Sequence, residues 1–203
     1  MQLFIYSCIL NYIMQGILSS NELEKLLIAC KKGRYRARTK VYKLYSPILL
    51  GICLRYTRNK QEAEDVLHEA FIKIYTKIDQ AGKGSFEAWM KQIARNEALQ
   101  FIRKRASLNS KHERYEQDAI TDENSVENLD FRDISANIIL ELIQHLPDGY
   151  RLVFNLYVFE EKTHKEIANL LNISEGTSKS QYARAKRKLQ KQIIEIKDKQ
   201  INT

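Results

Sequence analysis

The chain has 203 residues with only seven glycines and two prolines, so it has few turn punctuators and little capacity for hairpins. Between those breakers the sequence is rich in Leu, Ile, Ala, Lys, Glu and Gln, which favour helix, and the expectation is an all-α protein of two small helical domains. Lys and Arg outnumber Asp and Glu by 33 to 25, a formal net charge of +8, and the excess is uneven. From Glu113 to Asp133 eight acidic residues face two basic ones, so that stretch carries −6 and the rest of the chain +14. This is an electrostatic bias toward a polyanion.

Catalytic patterns are missing. There is no Ser-His-Asp candidate, no P-loop, no dinucleotide fingerprint and no metal-ligand spacing, which argues against an enzyme and against a cofactor or metal. Cys8, Cys30 and Cys53 are odd in number, far apart and without a CxxC pattern. They read as small buried hydrophobes in a reducing compartment.

Residues 1–19 form a largely apolar extension without a charged side chain. They lack the cationic start and small-residue cleavage site of a signal peptide. Three readings stay open for them: a true start at Met14, an extra packing segment, or a membrane anchor. A first helical domain spans 20–106. Ser19 with Glu22 resembles a capping box, Leu23, Leu26, Leu27 and Cys30 share a face, and Gly33 stops the helix. Ser46-Pro47 predicts an N-cap and first-turn proline, opening a new helix through about Arg58. Asn59 caps the next helix, whose stripe is Val66, Leu67, Ala70, Phe71, Ile74 and Ile78. After the loop at 80–84, Ser85 opens a long helix through roughly Arg105 with Phe86, Trp89, Met90, Ile93, Ala94 and Ala98 inward. Trp89 could be a stacking platform for a base, but its apolar neighbours favour a core position.

Periodicity fails over 107–133, an acidic, polar segment that reads as a flexible linker between domains. A second domain spans 134–203. Ile138, Ile139, Leu142 and Ile143 line one side of its first helix, and Asp148, after Leu146-Pro147, caps a helix through about Phe159. From Thr163 the sequence reads as helix, three-residue turn, helix. Ala168 is small at the crossing, Ile173 seals the turn, and Ser174 caps the second helix. That helix offers Lys179, Ser180, Arg184, Lys186, Arg187 and Lys188. A recognition helix in a DNA major groove has this form, with early residues near base edges and basic ones near phosphates. A helical hairpin with a solvated cationic face has it too, since basic side chains also complement a helix C-terminus.

Three motifs in order carry a resemblance over about residues 20–195. Leu146-Pro147-Asp148-Gly149-Tyr150-Arg151-Leu152-Val153-Phe154, then His164-Lys165-Glu166-Ile167-Ala168 and Ser174-Glu175-Gly176-Thr177, resemble the C-terminal DNA-binding domain of sigma-70 family proteins. The run Ala63-Glu64-Asp65-Val66-Leu67-His68-Glu69-Ala70-Phe71-Ile72-Lys73-Ile74-Tyr75 resembles the family's polymerase-binding helix. Phe86-Glu87-Ala88-Trp89 with Ile93-Ala94-Arg95-Asn96 and Arg103-Lys104-Arg105 resembles its promoter-melting helix. Two domains joined by a short acidic linker point to the extracytoplasmic-function group.

The resemblance implies a cytoplasmic factor that binds core RNA polymerase, through its β and β′ subunits, together with promoter DNA. It makes an anti-sigma protein a further expected partner. Asp65, His68 and Glu69 would meet the polymerase clamp, with His68 departing from the more usual glutamine. Lys83, Lys91, Arg95, Asn96 and Arg103 would serve the −10 element by holding an unpaired strand and a flipped base. Thr177, Lys179, Ser180, Ala183 and Arg184, with Arg187 and Lys188 behind them, would contact the −35 element. Ser178 stands where many relatives carry a branched aliphatic residue, so packing under the recognition helix is expected to differ. The acidic linker would thread the polymerase channel as a nucleic-acid mimic. The rival reading is a stand-alone helix-turn-helix regulator, which would require an effector or receiver domain ahead of the DNA-binding unit, and the first hundred residues show no alternating βα pattern.

Overall fold

The structure, a computed structural model, describes residues 20–81, 85–109 and 134–201. The apolar extension, Lys83 and the acidic linker beyond residue 109 lie outside the described residues, and with them the readings made of Met14, Cys8 and the channel-threading segment. Among the described residues there are eight α-helices, one 3₁₀ turn and no strand: α1 (Ser20–Lys31), α2 (Tyr35–Tyr56), α3 (Lys60–Thr76), the turn Ile78–Gln80, α4 (Phe86–Asn109), α5 (Ala136–Gln144), α6 (Asp148–Val158), α7 (His164–Leu171) and α8 (Glu175–Ile201). The chain divides into two compact units, one running to Leu54 and continuing over Asn59–Gln100, the other made of Arg55–Arg58 and residues from Phe101 onward.

In the first unit α1 ends at Gly33, whose φ of +72° is the left-handed conformation that glycine adopts without steric cost. Helix α2 corrects the expected break at Ser46-Pro47, because it runs unbroken through Pro47. Val41, Tyr45, Leu49, Ile52, Cys53 and Tyr56 are all buried and fall at one helical spacing on both sides of the proline. A proline inside a helix costs about 3 kcal/mol, and burying each large apolar side chain returns roughly 1.5–3 kcal/mol. The continuous stripe therefore outweighs the missing backbone bond.

Helix α3 starts as expected. The Glu62 N–H donates to Asn59 Oδ1 at 2.9 Å, an N-cap. Val66, Leu67, Ala70, Phe71 and Ile74 are buried along it, and Ile78 just beyond joins them. Phe86, Met90, Ala94 and Ala98 of α4 are buried as expected, while Trp89 is half-buried and stacks on Phe86 with ring centroids 5.6 Å apart. Lys73 of α3 donates to Glu97 of α4 at 2.7 Å, and that carboxylate is buried, so a partly desolvated ion pair ties the two helices. Helix α4 continues to Asn109, past its expected end near Arg105. Cys30 and Cys53 are both fully buried, as expected of small hydrophobes.

In the second unit Ser135 caps α5, accepting from the Ile138 N–H at 3.4 Å. The core joins Ile143, Leu146, Phe154, Ala185 and Leu189, with Ile138 and Ile139 packed against it. Helix α6 packs along α8, and α7 packs against both. The expected cap at Asp148 is corrected: Pro147 holds the cap position without a side-chain bond, and Asp148 is the first helical residue. Extended backbone at Pro147 (φ −52°, ψ 147°) is what a cap residue needs, and this moves the aspartate into the first turn, where the helix dipole favours a carboxylate.

Asp148 has a different task. Its carboxylate accepts hydrogen bonds from Arg151 and, within the same unit, from Arg105 at 2.7 Å and Arg58 at 3.2 Å. Arg151 is fully buried and also donates to the carbonyls of Tyr56, Gln144 and Leu146. Burial works to raise the Asp148 carboxyl, but the Arg105 hydrogen bonds and the charges of Arg151, Arg105 and Arg58 outweigh it and hold the group below its ordinary range.

Candidate nucleic-acid interface

Two local devices set the helix-turn-helix. At the start of α7, the Glu166 N–H donates to Thr163 Oγ1 at 3.3 Å, and the Thr163 N–H donates back to Glu166 Oε2 at 2.8 Å, a complete capping box. These bonds from Thr163 lower the Glu166 pKa. At its end, Asn172 takes a left-handed conformation with φ 56°, and its N–H bonds the Ala168 carbonyl. Asparagine tolerates this conformation better than any branched residue, and the turn is then the three residues Asn172, Ile173 and Ser174. Ser174 Oγ accepts from the Thr177 N–H at 2.9 Å and so caps α8 as expected. Ile167 and Ala168 are buried at the crossing, and Leu170, Leu171 and Ile173 pack around Ile167, Val153 and Leu156.

The early part of α8 presents the residues expected at the −35 element. Lys179, Arg187 and Lys188 are exposed, and Thr177, Ser180, Ala183 and Arg184 are half-buried. Lys179 pairs with Glu175 one turn back at 2.9 Å, and its hydrogen bond lowers the Glu175 pKa. Ser180 Oγ donates to the Thr177 carbonyl at 3.0 Å. Such a hydroxyl is satisfied before any ligand arrives, and the side chains of Lys179, Arg187 and Lys188 are exposed on the same helix. The chemistry available is phosphate neutralisation from one face of a well-capped helix.

Beneath this face lies a group that the sequence did not announce. Ser178 is fully buried, and its Oγ lies 2.9 Å from His164 Nδ1 at the first position of α7. The His164 ring stacks on Tyr157 of α6, with centroids 4.6 Å apart and planes at 17°, and Tyr182 of α8 closes the cluster at 4.4 Å from Tyr157. Burial lowers the His164 pKa, and the Lys179 charge lowers it further, against an opposing contribution from Glu175. Burial raises the Tyr182 phenol. The partner of Ser178, 14 residues away across the turn, was not visible in any local pattern.

In the first unit Asp65, His68 and Glu69 are all exposed, on the side of α3 opposite the buried stripe. The three side chains share a continuous surface, as i, i+3 and i+4 spacing dictates. On α4, Lys91 is half-buried and pairs with Glu87 at 2.6 Å, Arg95 is half-buried and Asn96 is exposed. Arg103, at the part of α4 that belongs to the second unit, is exposed and donates to the Leu170 carbonyl.

Comparison with known proteins matches an N-terminal and a C-terminal segment separately. Residues 41–108 match the model of sigma-70 region 2, and residues 136–189 match that of sigma-70 region 4. The chain is 30% identical over 187 residues to the ECF RNA polymerase sigma factor SigW of Bacillus subtilis, covering 86% of this chain and 98% of that protein. It is 29% identical over 151 residues to SigM of the same organism, covering 73% and 90%. It is 28% identical over 184 residues to the RNA polymerase sigma-H factor of Pseudomonas aeruginosa, covering 86% and 95%. Among solved structures, the sigma factor RpoE of Bartonella quintana, in complex with the anti-sigma factor NepR, aligns with a TM-score of 0.45 at 21% identity over 75% of this chain and 94% of that one. With both regions matched in order and SigW aligned over nearly its whole length, the chain belongs to the sigma-70 family of RNA polymerase sigma factors, in its extracytoplasmic-function group.

Proposed function

We propose that this sigma factor binds core RNA polymerase through the Asp65, His68 and Glu69 face of α3 and carries the enzyme to promoters read by α4 and α8. The observation that carries the reading is the capped helix-turn-helix, whose second helix holds Lys179, Arg187 and Lys188 exposed above an apolar seat. Carboxylates on α3 suit a basic partner surface, where opposite charge speeds encounter and fixes register. Lys83, Lys91, Arg95, Asn96 and Arg103 are assigned to the −10 element, the basic groups to the backbone of the opened strand and Asn96 to a base edge. Thr177, Lys179, Ser180, Ala183 and Arg184 are assigned to the −35 element, with Arg187 and Lys188 on phosphates. On this reading the chain acts by binding and has no catalytic step of its own.

A promoter-binding assay across a salt series, with and without core polymerase, tests it. The expected result is sequence-specific binding and strand opening only when core enzyme is present, weakening as salt rises. Specific binding of one site by the chain alone, unchanged by core enzyme, would instead make it a stand-alone regulator.

A further inference from the structure

We propose that His164 and Ser178 form a polar strut that sets the seat of the recognition helix, making His164 a positioning residue for −35 readout although it lies on the helix before the turn. The inference rests on the assignment of α8 to the −35 element. Three observations carry it. Ser178 faces inward, fully buried, at the place on α8 between Thr177 and Lys179, two of the residues assigned to DNA. Its Oγ reaches across the motif to His164 Nδ1 at 2.9 Å. The imidazole cannot swing away from that bond without losing its stack on Tyr157, 4.6 Å distant on α6, and its contact with Tyr182, 5.8 Å distant on α8.

The physical consequence differs from that of an apolar contact. An aliphatic side chain under the recognition helix fills space and tolerates sliding and rotation of the helix by fractions of an ångström. A hydroxyl bonded across the motif adds a distance and an angle requirement that apolar packing lacks, and leaving it unpaired is costly. The strut therefore fixes the rotation of α8 about its own axis. That rotation decides whether Thr177, Ser180 and Arg184 reach the base edges or slide past them. Apolar packing through Ile167, Ala185 and Leu189 holds the helix in place overall, so the strut governs aim more than folding.

The test uses the full chain assembled with core polymerase, on a promoter and on the same promoter with its −35 element scrambled. The ratio of initiation on the two isolates −35 readout from −10 opening. Ser178→Ala and His164→Leu should each lower that ratio by about 3- to 10-fold, the range set by one lost buried hydrogen bond. Initiation on the scrambled promoter should stay unchanged. The double variant should lower the ratio little further than either single one, because the second change removes a bond already gone. His164→Asn, whose Oδ1 can accept from Ser178, should recover most of the ratio where His164→Leu does not. Thermal unfolding of each variant separates aim from collapse: a helix-turn-helix that melts early lowers the ratio equally for Asn and Leu at His164.

Additive losses in the double variant, or equal ratios for the Asn and Leu variants, would overturn the strut. So would single variants that match the unaltered chain. If the unaltered chain itself shows no dependence on the −35 element, the assignment of α8 falls and the strut with it, a result distinct from the others because it appears before any substitution is made.

Discussion

The two charged faces of this protein are built to different tolerances. On α3 the carboxylates of Asp65 and Glu69 stand opposite a stripe of apolar side chains, an asparagine cap starts the helix, and the directional bonds of Lys73 to Glu97 and Tyr75 to the Arg38 carbonyl lie at its far end, away from the carboxylates. On α8 the basic face is held by a serine cap, a capping box on the preceding helix, a left-handed asparagine in the turn and the half-buried His164–Ser178 bond. A surface that docks by charge needs only to be present and exposed, because Coulomb attraction falls off slowly and tolerates small shifts. A surface that reads base edges needs hydrogen-bond geometry, and hydrogen bonds fail within a few tenths of an ångström. The density of directional bonds around α8 is what that second requirement predicts.

Substitutions can break or sharpen this contrast. The largest effect is expected in the core of the second unit: Leu189→Ala should cost about 2–5 kcal/mol in denaturant unfolding, since Leu189 is fully buried under the basic face. A comparable loss, about 3–5 kcal/mol, is expected for Asp148→Asn, which leaves buried Arg151 without its carboxylate. If Asp148→Asn were neutral, the arginine cluster would be ornamental to stability. Arg184→Ala should lose about 1–3 kcal/mol at a single −35 position and leave the others alone, read by a base-substitution series. Thr163→Ala should cost about 1 kcal/mol by removing the α7 cap, and the contrast predicts that −35 selectivity falls with it. Asp65→Ala with Glu69→Ala should barely change stability, because both side chains are exposed. It should nonetheless weaken binding to core polymerase and spare the −35 contacts; unchanged core affinity would remove the α3 assignment.

The smallest effect is on pH dependence. The folded chain holds the His164 pKa below its ordinary value of 6.5, through burial and Lys179, against Glu175. Tyr157, Tyr182 and Ser178 complete its surroundings. Below pH 6.5 the unfolded chain therefore takes up a proton at this site more readily than the folded one. Its contribution to stability is full above about pH 6.5 and declines as pH falls through the lower folded value. His164→Asn should flatten that part of the stability profile, measured by thermal unfolding at closely spaced pH.

Local rules explain what the sequence made legible. The α3 stripe, the Asn59 and Ser174 caps and the three-residue turn all follow from residues within one helical turn of each other, and each is found where it was expected. Pro47 misled because proline's local signal is a helix start, while a stripe running from Val41 to Tyr56 makes the helix continuous. Asp148 misled in the same way. An aspartate after a proline reads as a cap, and only the distant Arg58 and Arg105 show that its carboxylate is engaged elsewhere. The His164–Ser178 strut needs the tertiary crossing of two helices, which no spacing reports. Identity of the family was legible where motifs are contiguous, at Asp65 to Phe71 and at His164 to Thr177, and the region 2 and region 4 matches cover both.

The most direct test of the whole account is run-off transcription by purified core polymerase on a promoter library, with and without this chain. The expected result is new transcripts that appear only with the chain, start at a fixed distance from a shared pair of −35 and −10 elements, and vanish when either element is scrambled. Transcripts no different from those of core polymerase alone, across a library that includes every sequence of both elements, would contradict it.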